Sequence, residues 1–194
     1  GLSFVGALVG SLARPVGGWL SDRIGGSSVT VTVFVAMALF TVGAIYGVDQ
    51  RSFPIFFGCY LVIFLLSGVG NGSIYKMIPS VFAALGARRA TGGGIEAKEA
   101  AREFKRRAAA VIGVAGAVGA FGGVLVQVVF RQASLKVSAL VKAAKTPATK
   151  VAVAAAHSTW SVPALWVFIG AYLVLAALTW FLYLRPGAAA GLAR

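Results

Sequence analysis

Charged residues are scarce in this sequence, and among them acidic residues are far fewer than basic ones. Only 12% of the 194 residues are charged, whereas 59% are hydrophobic. Soluble domains carry roughly 25% charged residues. A soluble fold could not cover its surface with so few charges, so the composition excludes an ordinary water-soluble domain.

Residues that ligate metals or act as nucleophiles are also nearly absent. The chain has one cysteine, Cys59, and one histidine, His157. A single cysteine gives no disulfide framework, and an isolated histidine supports neither a metal site nor a catalytic triad. We therefore expect no metal, no cofactor and no enzymatic activity.

The shortage of acidic residues leaves a strong excess of positive charge. Eighteen basic residues against five acidic ones give a net charge of +13. In a soluble protein that excess would suggest nucleic acid as a partner. Here the charges lie mainly between apolar runs, as expected for loops on an anionic membrane surface. We predict contact with membrane lipid and no binding of nucleic acid.

Long charge-free runs indicate membrane-spanning helices, since a helix needs about 20 apolar residues to cross the hydrocarbon core. Four such runs cover residues 24–48, 52–75, 108–130 and 158–184, and a fifth, 1–20, is interrupted only by Arg14. The sequence predicts an all-α transmembrane protein with about five spans, near 1–20, 27–48, 53–83, 106–130 and 160–184. Because the first span begins without an initiator Met, we expect 1–194 to be a fragment whose upstream helices are missing.

The distribution of basic residues predicts the orientation. If the first connection is cytoplasmic, that side also holds the loop 86–107 and the tail from Arg185, with ten basic residues against six on the other side. The positive-inside rule then favours a multi-pass protein of the cell inner membrane with a cytoplasmic C-terminus. The charged stretch 96–105 should extend the fourth helix. The basic loop 131–157 is either a surface-lying amphipathic helix or a solvated loop.

Arg14 stands out because a guanidinium inside the membrane costs a few kcal/mol unless it faces a polar path or binds an anion. It lies roughly 10 Å below the boundary near Ser21 at 1.5 Å per residue. The alternative is that Arg14 snorkels to the interface, past the bulky Trp19 and Leu20. We favour a substrate site.

Other polar or small residues within the spans are weaker candidates. Asn71 and Ser73 must face the bundle; they either contact substrate or bond a neighbouring helix, and Asn71 is our candidate ligand. For Lys76 we favour snorkelling to the interface or contact with phospholipid. A bare stripe on the fourth span serves either close helix packing or the approach of backbone to a ligand; it consists of Gly113, Gly116, Gly119, Gly122 and Gly123.

The segment 17–26, GGWLSDRIGG, resembles the helix-loop-helix signature of the major facilitator superfamily, Gly-x-Leu-x-Asp-Arg-x-Gly. The matching residues are Gly18, Leu20, Asp22, Arg23 and Gly25. Together with 67–79, SGVGNGSIYKMIP, and 113–123, GVAGAVGAFGG, this segment resembles the NarK-type nitrate/nitrite porters. The resemblance covers nearly the whole chain and implies helices eight to twelve of a twelve-helix transporter.

The resemblance implies roles for particular residues. Arg14 corresponds to one of two arginines that bind the anion, the other lying in the missing N-terminal half. Asp22 and Arg23, with Gly18 and Gly25, would hold a cytoplasmic gate. The second nitrate signature maps onto the glycine stripe and implies substrate contact for Gly116, Gly119, Gly122 and Gly123.

We therefore predict a carrier of nitrate and nitrite. Exchange is preferred to proton symport because all five acidic residues fall in or beside loops, whereas proton-coupled carriers commonly use an acidic residue inside the membrane. Alternatives are a proton symporter, another small-anion carrier of the superfamily, or a membrane sensor or assembly subunit. The last would need a cytosolic output domain, and no loop in the sequence is long enough to form one.

Overall fold

The computed structural model describes residues 3–91, 97–143, 146–151, 153 and 160–185. Its long helices are α1 (Ser3–Ile24), α2 (Gly26–Asp49), α3 (Phe53–Thr91), α4 (Ala97–Ala143) and α5 (Val162–Thr179), followed by a π-helical turn, Trp180–Leu184. No strand occurs within these ranges. The prediction of an all-α protein is confirmed.

Four helical segments are long and apolar enough to cross a membrane: Gly26–Asp49, Phe53–Ala90, Lys98–Gln132 and Val162–Leu184. Helix α1, with 22 residues, is comparable in length but carries Arg14 and is not among the four. Large apolar side chains such as Leu12, Leu39 and Phe121 are about two-thirds exposed on the outside of the bundle. Lipid rather than water is the solvent that suits such a surface, and the chain is a multi-pass membrane protein.

Helices α3 and α4 run beyond their predicted spans. Helix α4 has 47 residues, about 70 Å at 1.5 Å per residue. It begins at Ala97, so the charged stretch does extend the fourth helix. It ends only at Ala143, so residues 131–143 continue α4 and form neither a separate surface helix nor a loop.

The reason is local, because the sequence from Arg131 to Thr146 contains no glycine or proline to end a helix. Residues 92–96 of the loop 86–107 lie outside the described residues. So do the tail after Arg185 and the rest of the loop 131–157, including His157, apart from 146–151 and 153.

Helix α2 lies at the centre of the bundle, with α1, α3 and α5 packed around it, while α4 packs against α3. The buried core joins Val29, Val33 and Met37 of α2 to Ala13 of α1 and Val69 of α3. On the side of α5, the rings of Phe34 and Tyr172 stack with centroids 6.4 Å apart. This packing fixes α1 and α3 beside one another, which determines the surroundings of Arg14.

Helices α1 and α3 run parallel and touch backbone to backbone. A methyl group on Gly17 would overlap the Val69 carbonyl, and one on Gly68 would overlap the Gly10 carbonyl. Helices in membranes associate largely through such close packing of small residues. The crossing therefore depends on glycine at these positions.

Candidate functional site

Arg14 lies on α1 beside a small pocket between α1 and α3. The pocket has a volume of about 230 Å³, and the polar side chains that line it are Ser11, Arg14, Ser67 and Asn71. The structure therefore brings together Arg14 and Asn71, two candidates from separate helices. Arg14 is exposed and forms neither an ion pair nor a hydrogen bond within the described ranges. Its guanidinium keeps its donors free for a ligand.

A proline next to Arg14 leaves one backbone carbonyl of α1 without its usual partner. Pro15 lies inside α1 and has no N–H, so the carbonyl of Ser11, four residues earlier, loses its usual helical partner. Prolines are tolerated in membrane helices where other groups satisfy the freed carbonyl. The backbone is thus more polar here than in an unbroken helix.

A close backbone contact of the α1–α3 crossing holds Arg14 in register with Asn71. A Cβ on Gly72 would overlap the carbonyl oxygen of Arg14, so the two backbones meet one residue after Asn71. Asn71 itself is half-buried. The distance between the two helices, and with it the width of the pocket, is fixed by a glycine.

Ser73 has a structural role. Its side chain is fully buried, and its hydroxyl donates a hydrogen bond of 3.1 Å to the carbonyl oxygen of Gly26 at the start of α2. The hydroxyl of Thr30 donates to the same oxygen at 2.7 Å. Ser73 therefore bonds a neighbouring helix, as one of the two sequence-based alternatives proposed.

The glycine stripe of α4 faces mostly open space. A Cβ on Gly113, Gly119, Gly122 or Gly123 would meet nothing within 4 Å, while one on Gly116 would lie 3.6 Å from the hydroxyl of Tyr75 on α3. No residue of α4 lines the Arg14 pocket. Within this chain the structure therefore does not bring the glycine stripe and Arg14 together. The stripe leaves the backbone of α4 accessible to a neighbouring helix or a ligand.

The residues of the superfamily signature form the connection between α1 and α2. Asp22 makes an ion pair with Lys76 of α3, and the Arg23 guanidinium lies 4.1 Å from the centroid of the Trp19 ring. Gly25 alone separates the two helices, with φ 86° and ψ 137°. Asp22, Arg23 and Gly25 line a cleft of about 1140 Å³ that Tyr75 and Pro79 of α3 also border.

The ion pair gives Lys76 a partner that the sequence did not reveal. Its sequence position suggested snorkelling or phospholipid contact. The parallel course of α1 and α3 brings its ammonium group to Asp22, a contact that a snorkelling side chain can also make. A Cβ on Gly18 would lie 3.6 Å from the Lys76 side chain, an ordinary van der Waals contact, so this approach does not require glycine there. Through Asp22, the signature segment thus connects α1 to α3.

Sequence reasoning missed Ser11, Ser67 and Tyr75 as neighbours of the candidate residues. One signal was present: Ser67, Asn71 and Tyr75 recur at intervals of four and therefore share a face of α3. Ser67 and Asn71 line the Arg14 pocket, and Tyr75 reaches the glycine stripe. Helix α3 therefore borders both candidate surfaces.

Comparison with known proteins gives the chain its relationships. No protein-family model matches it. The nitrate/nitrite transporter NarU of Escherichia coli K12 is 30% identical over 187 residues, which cover 95% of this chain and 36% of that protein. The NarU of Salmonella typhimurium is 36% identical over 132 residues, covering 66% of this chain and 29% of that protein.

A further relative is the probable nitrate/nitrite antiporter NarK2 of Thermus thermophilus, 43% identical over 88 residues, which cover 41% of this chain and 19% of that protein. The chain spans about a third or less of the length of these curated relatives. The matches confirm the resemblance read from the motifs: the chain is a homologue of the NarK-type nitrate/nitrite porters of the major facilitator superfamily.

Proposed function

We propose that this chain forms part of a secondary transporter that moves nitrate and nitrite across the inner membrane, with Arg14 as an anion ligand and the C-terminus in the cytoplasm. The observation that carries the proposal is the guanidinium of Arg14, free of partners within the described ranges, beside Asn71 in a pocket between two helices. The substrates in this proposal are taken from the names of the relatives, which are nitrate/nitrite transporters. Such a protein is a carrier and not an enzyme.

The chemistry of the pocket suits a small planar anion. A guanidinium presents a flat fork of N–H donors, which can pair side by side with a flat oxyanion such as nitrate in a way that lysine cannot. The amide of Asn71 and the hydroxyls of Ser11 and Ser67 are further donors within the same pocket. None of the lining side chains is acidic, so no side chain of the pocket repels an anion.

The exposure of Arg14 supports a second part of the proposal. An arginine in the middle of a membrane is unfavourable where it faces lipid, so the exposed side of the pocket needs a cover. We propose that the remainder of the transporter provides that cover, with a second arginine. The open face of the glycine stripe would border the same substrate path and contribute the backbone of Gly116, Gly119, Gly122 and Gly123.

We propose exchange of nitrate for nitrite as the mode of transport. The five acidic residues of the sequence lie outside its charge-free runs; they are Asp22, Asp49, Glu96, Glu99 and Glu103. A positive site without a titrating carboxylate changes conformation most easily when an anion neutralises it. The Asp22–Lys76 pair and the Arg23–Trp19 contact would stabilise one of the two alternating states.

The test is counterflow in proteoliposomes that contain the full-length protein. Vesicles loaded with nitrite should take up labelled nitrate at a clamped, equal pH on both sides, and empty vesicles should not. Uptake that requires a pH gradient would contradict exchange and indicate proton symport. Absence of nitrate flux in either direction would contradict transport and favour a sensor or assembly subunit.

A further inference from the structure

A second pocket lies between α3 and α4, away from Arg14. It has a volume of about 620 Å³, within the range of roughly 300–1,000 Å³ that is typical of ligand sites. We call it the α3–α4 groove. It is lined by Pro79, Ala83, Gly86, Ala87, Ala90, Ala101, Lys105, Ala108, Ala109 and Ile112.

The groove is apolar except for one cation. Nine of its ten lining residues are alanine, glycine, proline or isoleucine, and the tenth is Lys105. Lys105 is exposed and forms no ion pair within the described ranges. Small side chains leave room between the helices, so the groove has an apolar wall with a single positive group.

The groove also crosses the start of the charge-free run of α4, where we place the edge of the membrane. Ala108, Ala109 and Ile112 belong to the charge-free run of α4, whereas Lys105 and Ala101 precede it. From Ala101 to Ile112 the groove extends about 16 Å along α4 at 1.5 Å per residue. Its inner part lies at the depth of acyl chains, and Lys105 lies at the depth of lipid headgroups.

We propose that the α3–α4 groove binds an anionic phospholipid, with an acyl chain against the alanines and the phosphate at Lys105. Basic pockets between membrane helices are suited to anionic headgroups. Lys98, two turns before Lys105 on the same helix face, adds positive charge at the mouth. A protein segment lying over the groove would instead remove Lys105 from water. Unless that segment supplied a carboxylate, the ammonium group would be buried without a partner, which is costly.

The experiment uses full-length protein, delipidated in detergent, and phosphatidylglycerol with a photoreactive diazirine near the end of one acyl chain. After illumination, mass spectrometry of peptides locates the attached lipid. We expect attachment to residues 79–90 and 101–112 that unlabelled phosphatidylglycerol reduces by competition. The matched phosphatidylcholine probe should label these peptides several-fold less.

Two variants and a matched control separate charge from shape. Lys105→Gln should lower labelling about fivefold, the effect of one basic residue near an anionic surface. Arg106→Gln removes the same charge from a neighbouring residue outside the groove and should change labelling by less than about twofold. Ala109→Phe fills the groove and should lower labelling by both probes.

Three results would overturn the proposal. Equal labelling by the two probes would remove the role of charge. Displacement of the probe by inorganic phosphate as effectively as by phosphatidylglycerol would indicate a phosphate site and not a lipid site. Unlabelled groove peptides in the unmodified protein would mean that another part of the protein covers the groove.

Discussion

At the scale of single residues, Gly25 has the most demanding backbone. Its φ of 86° and ψ of 137° lie in a region that side-chain-bearing residues rarely adopt. Its N–H donates to the carbonyl of Ser21, and its own carbonyl accepts from the N–H of Val29. The sharp connection between α1 and α2 therefore depends on this glycine, which explains its place in the superfamily signature.

Replacing Gly25 by alanine should destabilise the folded protein by about 1–3 kcal/mol, the usual cost of a strained backbone conformation. The measurement is the thermal unfolding of purified protein in detergent. Gly58→Ala is the control, because Gly58 lies inside α3 and an added methyl group there would meet nothing within 4 Å, so this variant should be neutral or slightly more stable. Equal stability of the two variants would contradict the role of Gly25.

A second prediction at the scale of single residues concerns the Asp22–Lys76 ion pair. Both side chains are about half exposed, so the pair should contribute only about 0.2–1 kcal/mol to stability. Its expected effect is on the balance between transport states. Asp22→Asn and Lys76→Gln should each change the nitrate transport rate severalfold, and the double variant should be no worse than either single one.

A double-variant cycle on transport rates in proteoliposomes measures this coupling. The comparison pair is Glu103 and Arg107, which form an ion pair within the first turns of α4. Breaking that pair should leave the transport rate nearly unchanged. If the effects of the Asp22 and Lys76 substitutions simply add, the two residues do not act through their contact.

These residues show what sequence can and cannot reveal. Arg14 is evident from sequence because a charge in an apolar run is costly wherever the helix lies. The contact of Lys76 with Asp22 is not evident, since it depends on the parallel arrangement of α1 and α3. The same holds for Ser11 and Ser67, whose approach to Arg14 follows from the crossing.

At the scale of helices, the α1–α3 crossing determines the width of the Arg14 pocket. Gly68→Ala should destabilise the protein by about 1–3 kcal/mol, as overpacking typically does, because the new methyl group would overlap the Gly10 carbonyl. Thermal unfolding in detergent is the measurement. Gly170→Ala in α5, where a methyl group meets nothing within 4 Å, should have little effect. A Gly68→Ala variant as stable as Gly170→Ala would contradict this tight crossing.

The glycine stripe of α4 should behave differently from the crossing. Gly119→Ala adds a methyl group where nothing lies within 4 Å, so the stability of this bundle should be unchanged or slightly higher. Nitrate transport should nevertheless fall severalfold, because the stripe would then be less able to approach substrate or another helix. Unchanged nitrate transport in proteoliposomes would show that the glycine stripe does not contribute to transport.

Helix boundaries were predicted less well than helix existence. Charges mark the ends of membrane spans, but they do not end helices, since arginine, lysine and glutamate are good helix formers. Helix α3 therefore continues through Arg88 and Arg89 to Thr91, and α4 continues through Arg131 to Ala143. Glycine and proline were no better as a signal, since Pro15 lies inside α1, Pro79 inside α3 and the glycine stripe inside α4.

At the scale of the whole molecule, the described helices form a bundle centred on α2, with Arg14 and the glycine stripe both at its surface. The sequence predicted an all-α membrane bundle because long apolar runs permit few other structures in lipid. It did not predict which helices touch, since that depends on complementary side-chain shapes. The exposure of both candidate surfaces fits a carrier whose substrate path lies between this bundle and further helices.

The central claim is that the fork of Arg14 binds nitrate, and nitrate binding by the full-length protein tests it most directly. Isothermal titration of the purified protein and of Arg14→Lys should give a dissociation constant at least about tenfold weaker for the variant, since hydrogen bonds to charged groups contribute about 1.5–3 kcal/mol. Thermal unfolding of both proteins shows whether the variant remains folded. Equal nitrate affinity of the two folded proteins would contradict the claim.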